Sequence, residues 1–133
     1  MTFFDTNVLV YATIDQGSDK LALSEQHIEQ AIGNETFFIS PLVLSEYIFI
    51  LSKLKILDKH DADIALFSKF VDGSLNSQIT MNAYTLCKAL KFCKNINDVM
   101  HLKVAEEYCT KLVTFDKDFS KLQKHTNLKI EIL

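Results

Sequence analysis

Four acidic residues interrupt otherwise apolar surroundings. Asp5 cuts short the run Phe3-Phe4, Glu46 breaks the oily stretch PLVLSEYIFILSKL, Asp98 opens a helical pattern after KNIND, and Asp116 follows LVTF. Each has an ordinary structural use. Asp5 suits a helix N-cap, a contribution of about 1 kcal/mol, as do its neighbours Thr6 and Asn7. Glu46 shares a polar stripe with Ser45, Ser52 and Lys53 that is able to face water. Asp98 complements a helix dipole, and Asp116 and Asp118 can cap a short helix over 119–124. Brought together, the same acids would do chemistry. Ionised carboxylates about 5 Å apart repel by about 3 kcal/mol per pair at an effective dielectric of about 20. Such a cluster persists when a cation offsets it, and oxygen ligands without His or Cys suit Mg²⁺ or Mn²⁺ rather than zinc. The cation reverses the local sign of charge, so an acidic pocket accepts a phosphate backbone. Water activated there and aligned by a carboxylate is the nucleophile for phosphodiester hydrolysis.

The elements that must position these acids read as short strands alternating with helices. Strands are expected at 2–4, at 37–40 before Pro41, at 111–115 before Asp116 and at 128–133, with a weaker candidate at 78–81. Helical spacing covers 21–32, stopped by Gly33-Asn34, and 42–54, started by Ser40 as N-cap and Pro41. Further helices are expected at 61–71, stopped by Asp72-Gly73, and at 82–92 and 97–109. Alternation of this kind predicts an α/β fold with a mostly parallel sheet covered on both faces. In such sheets ligands bind beyond the C-terminal strand ends, where the strand order reverses. Asp5 and Asp116 stand at two such ends, and Glu46 lies early in the helix that follows the second strand.

Composition narrows the class. A chain of 133 residues with 48% hydrophobic residues, three Gly and one Pro is read as one compact domain over 1–133. Cys87, Cys93 and Cys109 lack a CxxC spacing and read as reduced thiols of a cytoplasmic protein. No basic leader precedes the first apolar residues, and the apolar region 37–57 is broken by Ser45 and Glu46, so neither a signal peptide nor a membrane partner is expected. The formal charge is −3 and all 14 cationic residues are lysines. A nucleic acid would therefore meet point charges suited to backbone attraction rather than base reading. Lys88, Lys91 and Lys94 form either a basic strip for RNA or a solvated helix face. His101, three residues after Asp98, fits a helix residue half-packed on the sheet better than a proton shuttle.

The segments FFDTNVLVYA, ISPLVLSEY, NINDVMHLKVAEEY and KLVTFDKDF, in this order, resemble the successive signatures of the PIN domain, in particular of VapC-type toxin ribonucleases. The resemblance implies a three-layer α/β/α sandwich and a Mg²⁺-dependent endoribonuclease, with Mn²⁺ as a possible substitute. It also implies a cognate antitoxin, whose C-terminal segment often covers the groove in this family, and a homodimer. By position, Asp5, Glu46, Asp98 and Asp116 match the family's acidic quartet, with Asp5 and Asp98 as metal ligands. Asn7 and Thr114 are polar supports and Asp118 a further outer acid. Val99-Met100-His101 departs from the family, which usually carries a small residue soon after the third acid. Two rival readings remain: an inactive PIN-like interaction module, and a phosphatase of the haloacid-dehalogenase type, whose second Asp is replaced here by Asn7.

Overall fold

Phe3 and Phe4 are buried on opposite faces of one strand, the pattern of a strand covered on both sides. In the computed structural model, which describes residues 1–90 and 95–133, this strand is β1 (Thr2–Phe4). It pairs in parallel with β2 (Phe37–Phe38) on one side and β3 (Lys111–Thr114) on the other, and β4 (Lys129–Ile132) adds to β3, giving the order β2-β1-β3-β4. The chain runs outward from β1 to β2, then crosses back past β1 to β3. The order therefore reverses between β1 and β3, and the crevice beyond their C-terminal ends is the expected place for a ligand.

Helices flank this parallel sheet, as the α/β reading requires. They are α1 (Thr6–Thr13), α2 (Lys20–Gly33), α3 (Pro41–Lys53), α4 (Asp61–Ser68), α5 (Ser77–Leu90) and α6 (Ile96–Tyr108). Ser40 caps α3 by accepting from the Val43 N–H, with Pro41 in the first turn. Asn95 caps α6 by accepting from the Asn97 N–H. Phe3 packs against Phe38 and His101, and Phe4 against Phe37. The main core thus joins the sheet to α6 on the Phe3 side.

Several sequence expectations shift. Residues 78–81 are not a strand but the first turn of α5, because Asn76 Oδ1 accepts from the Ile79 N–H and starts a helix there. The second strand closes after Phe38, and Ile39 instead bridges in parallel to Val71. That bridge shortens α4, which ends at Ser68. Gly73 follows with φ +82, and a Cβ there would lie 3.0 Å from Phe38 Cζ and 3.1 Å from Tyr108 Cε2. In place of one helix over 119–124 there are two 3-10 turns, Lys117–Lys121 and Gln123–His125. Cys87 is disulfide-bonded and Cys109 is a free thiol, which corrects the reading of all three cysteines as reduced. Lys88 is exposed on α5, while Lys91 and Lys94 lie outside the described residues. Among the described residues no helix is long and apolar enough to cross a membrane.

Candidate active site

At the C-terminal end of β1 the backbone passes directly into α1, and Asp5 makes the turn. Its N–H continues the sheet by donating to the Val113 carbonyl at 3.0 Å. Its Oδ1 accepts from the Thr6 N–H at 2.7 Å, so Asp5 is itself the N-cap of α1. Capping uses one carboxylate oxygen and leaves the other for the neighbouring strand. Asp5 Oδ2 accepts from Thr114 Oγ1 at 2.6 Å and from Asn7 Nδ2 at 2.7 Å. Thr114, the last residue of β3, is a hub: its hydroxyl also accepts from Asn7 Nδ2 and from the Asp116 N–H, each at 3.0 Å. Asn7 completes the stitch by accepting from the Phe115 N–H. This buried network ties β1 to β3 at the point where the strand order reverses.

Asp116 follows two residues after β3 and caps the 3-10 turn Lys117–Lys121, accepting from the Asp118 N–H at 2.8 Å. Asp98 occupies the first turn of α6, where Asn95 Nδ2 reaches its Oδ1 at 3.3 Å. Glu46, on α3, turns toward the sheet rather than standing free in water. Its Oε2 accepts from Thr6 Oγ1 at 2.5 Å and faces His101 Nε2 at 2.8 Å, and its Oε1 accepts from Asn97 Nδ2 at 2.7 Å. Asp5, Glu46, Asp98 and Asp116 line one cleft of about 810 Å³. Asp118 instead pairs with Lys121 at 2.8 Å on the surface. The opposite half of the cleft is apolar, walled by Val10, Tyr11, Ile14, Phe49, Ile50 and Leu54, with Phe49 65% exposed.

Charge in the cleft is unevenly shared. Burial pushes the Asp5 carboxyl above the usual range, against the pull of His101, Thr114 and the Thr6 N–H. Burial likewise raises Asp98, and the charges of Asp5 and Asp116 add to it, so this carboxyl is pushed up to about 6. Burial acts on Glu46 too, but the hydrogen bond and charge of His101, with Thr6 and Asn97, hold it below the usual value. Burial alone would lower His101, and the bond to Glu46 and the charge of Asp5 outweigh it and raise it. Glu46 is thus a well-satisfied anion, whereas Asp98 ionises less readily, because burial and the surrounding excess of negative charge both disfavour its carboxylate.

That excess is what a divalent cation would offset, and the donors are all hard carboxylate oxygens. Among the described residues no group of three or more His, Cys, Asp or Glu side chains is placed to hold a metal ion. Mg²⁺ needs none, since it usually keeps several waters and takes only one or two protein carboxylates beside substrate phosphate. The residues present fit such an ion.

The sequence reading underrated three residues, Thr6, Asn97 and His101, all of which bind Glu46. A signal was available: Asn97 and His101 are four residues apart and therefore stack on one face of α6.

Compared with known protein families, residues 2–125 match the PIN domain. The chain belongs to the PIN domain family. PIN domains are in general nucleases, hydrolases acting on nucleic acid. Among solved structures, the fold is similar to a chain of the VapBC2 crystal structure from Rickettsia felis, bound to a DNA fragment from its promoter. The TM-score is 0.74 at 22% identity, covering 99% of this PIN chain and 98% of the other. No curated protein matches the sequence.

Proposed function

We propose that this PIN domain, a single domain over residues 1–133, is a metal-dependent endoribonuclease that acts as the toxin of a VapBC-like toxin–antitoxin pair. The observation that carries the reading is the convergence of Asp5, Glu46, Asp98 and Asp116 in one cleft at the switch point, with Asp98 raised to about 6 by burial and by the charges of Asp5 and Asp116. Asp5 and Asp98 would hold Mg²⁺, or Mn²⁺ in its place. Such an ion, when bound, supplies positive charge against the phosphate's developing negative charge and lowers the pKa of water.

The chain's own groups do the rest. Asn7 and Thr114 fix the Asp5 carboxylate through Oδ2. Glu46, ionised and oriented by three donors, aligns the attacking water and accepts its proton. Asp116 adds negative charge that keeps the site selective for a cation. On the rim, Lys20 Nζ sits 4.3 Å from the Tyr11 ring centroid and bonds the Tyr11 hydroxyl. This places a cation for phosphate beside an aromatic ring of the cleft wall, the two kinds of group that single-stranded RNA sites combine. The apolar wall from Val10 to Leu54 suits unstacked bases, and equally an apolar antitoxin segment that would block them. The likeness to a VapBC2 chain supports a cognate antitoxin, and a homodimer and a cytoplasmic setting complete the proposal.

The experiment is cleavage of single-stranded RNA, double-stranded RNA and single-stranded DNA by purified, antitoxin-free protein with Mg²⁺ or Mn²⁺. Single-stranded RNA is expected to be cut, with loss of at least about 100-fold in Asp5→Asn, a scale set by removal of a group central to charge stabilisation. No cutting by wild type, or equal rates for wild type and Asp5→Asn, sinks the proposal.

A further inference from the structure

We infer that His101 is a positioning residue of this site, holding the Glu46 carboxylate in place through Nε2. The imidazole is 1% exposed and its ring lies 5.6 Å from that of Phe3, so packing leaves it no path into solvent. Nε2 is 2.8 Å from Glu46 Oε2 and 3.9 Å from Asp5 Oδ1. A carboxylate accepts, so the proton of this bond sits on Nε2. The other ring nitrogen, Nδ1, is buried without a hydrogen-bond partner.

That orphaned atom argues against a purely structural role. A leucine would fill the space against Phe3 with no unpaired polar atom, so the ring is a worse core residue than its apolar neighbours Val99 and Leu102. What the imidazole offers instead is one directed donor at the meeting point of α3, β1 and α6. With Thr6 on the same oxygen and Asn97 on the other, it leaves Glu46 one orientation. A glutamate has several rotatable bonds, and an unheld carboxylate would sample positions from which it cannot align water. His101 touches neither substrate nor cation in this scheme and acts through Glu46.

The kinetic side of this inference rests on the nuclease reading, so the test has one arm that does not. In metal-free protein, isotope-edited NMR of the His101 ring should show a protonated Nε2 whose hydrogen exchanges slowly in wild type and rapidly in Glu46→Ala. An unchanged signal in Glu46→Ala overturns the inference even if no RNA is ever cut.

In the kinetic arm, His101→Leu should lower kcat by about 10–100-fold with KM within about twofold, the usual cost of losing an outer partner. His101→Gln, whose amide can also donate, should recover most of the loss and serves if the leucine variant does not fold. Combining His101→Leu with Glu46→Gln should cost no more than Glu46→Gln alone, because the two act as a unit. Additive losses, or failure of His101→Gln to recover activity while folded, overturn it.

Discussion

Replacing Asp98 by asparagine should make the metal-free protein more stable while abolishing its activity. Burial first, then Asp5 and Asp116, raise this carboxyl from 3.8 to about 6. At about 1.4 kcal/mol per unit, that is about 3 kcal/mol against the ionised form. The group is only half-buried, so solvent screening reduces this to about 1–2 kcal/mol. Removing a negative charge from the first turn of α6 costs about 0.5 kcal/mol of dipole stabilisation. The bond from Asn95 Nδ2 to Oδ1 survives, since an asparagine carbonyl accepts it equally well. The net gain is about 1 kcal/mol, or about 3–5 °C in Tm for a domain of this size. Because the folded pKa is raised, Asp98 favours the native state most below about pH 4, and that contribution is lost as the pH rises through about 6. The variant's advantage should therefore be near zero at about pH 4 and complete at about pH 7.5. Saturating Mn²⁺ should reverse the order by stabilising the wild type far more than the variant. Thermal melts of chelator-treated protein across this pH range check the reasoning. A variant less stable than wild type at about pH 7.5, or a gap that ignores pH, would refute a buried, repelled carboxylate as the source of the difference.

Thr114→Val keeps the shape of the residue but removes the hydroxyl that serves Asp5, Asn7 and the Asp116 N–H. It should cost about 2–3 kcal/mol, read as a lower urea midpoint at constant m-value. Gly73→Ala forces a Cβ to 3.0 Å from Phe38 Cζ at φ +82. It should destabilise by more than about 1 kcal/mol, while Mn²⁺ affinity in calorimetry stays at the wild-type value.

The parts of the fold written in local residue choice were legible in the sequence. Ser40-Pro41 starts α3 through a cap and a first-turn proline, and Asp5 ends β1 because a carboxylate stops an apolar strand and caps the next helix. Gln78–Met81 misled because its apolar residues alternate. Burial of Ile79 and Ala83, four apart, with Met81 exposed, shows the helical period instead. Glu46 was harder. Its polar stripe was visible, but which way that stripe faces depends on where α3 docks, a property of tertiary packing. His101 was read against its own helix neighbour Asp98, whereas its partner Glu46 lies 55 residues away on another helix. Spacing along one element says nothing about a bond between two. The whole arrangement of four acids became legible only through their order along the chain.

The bond between Asp5 and Thr114 joins residues 109 positions apart, and it bears on when the protein can become active during its own synthesis. A nascent chain that has emerged only as far as α5 has Asp5 and Glu46 but no β3 to pair with β1, and so neither the hub hydroxyl nor Asp98 and Asp116. Closing so long a loop comes late and all at once. The cleft therefore cannot close until β3 and Asp116 have left the ribosome, however long the earlier elements have been exposed.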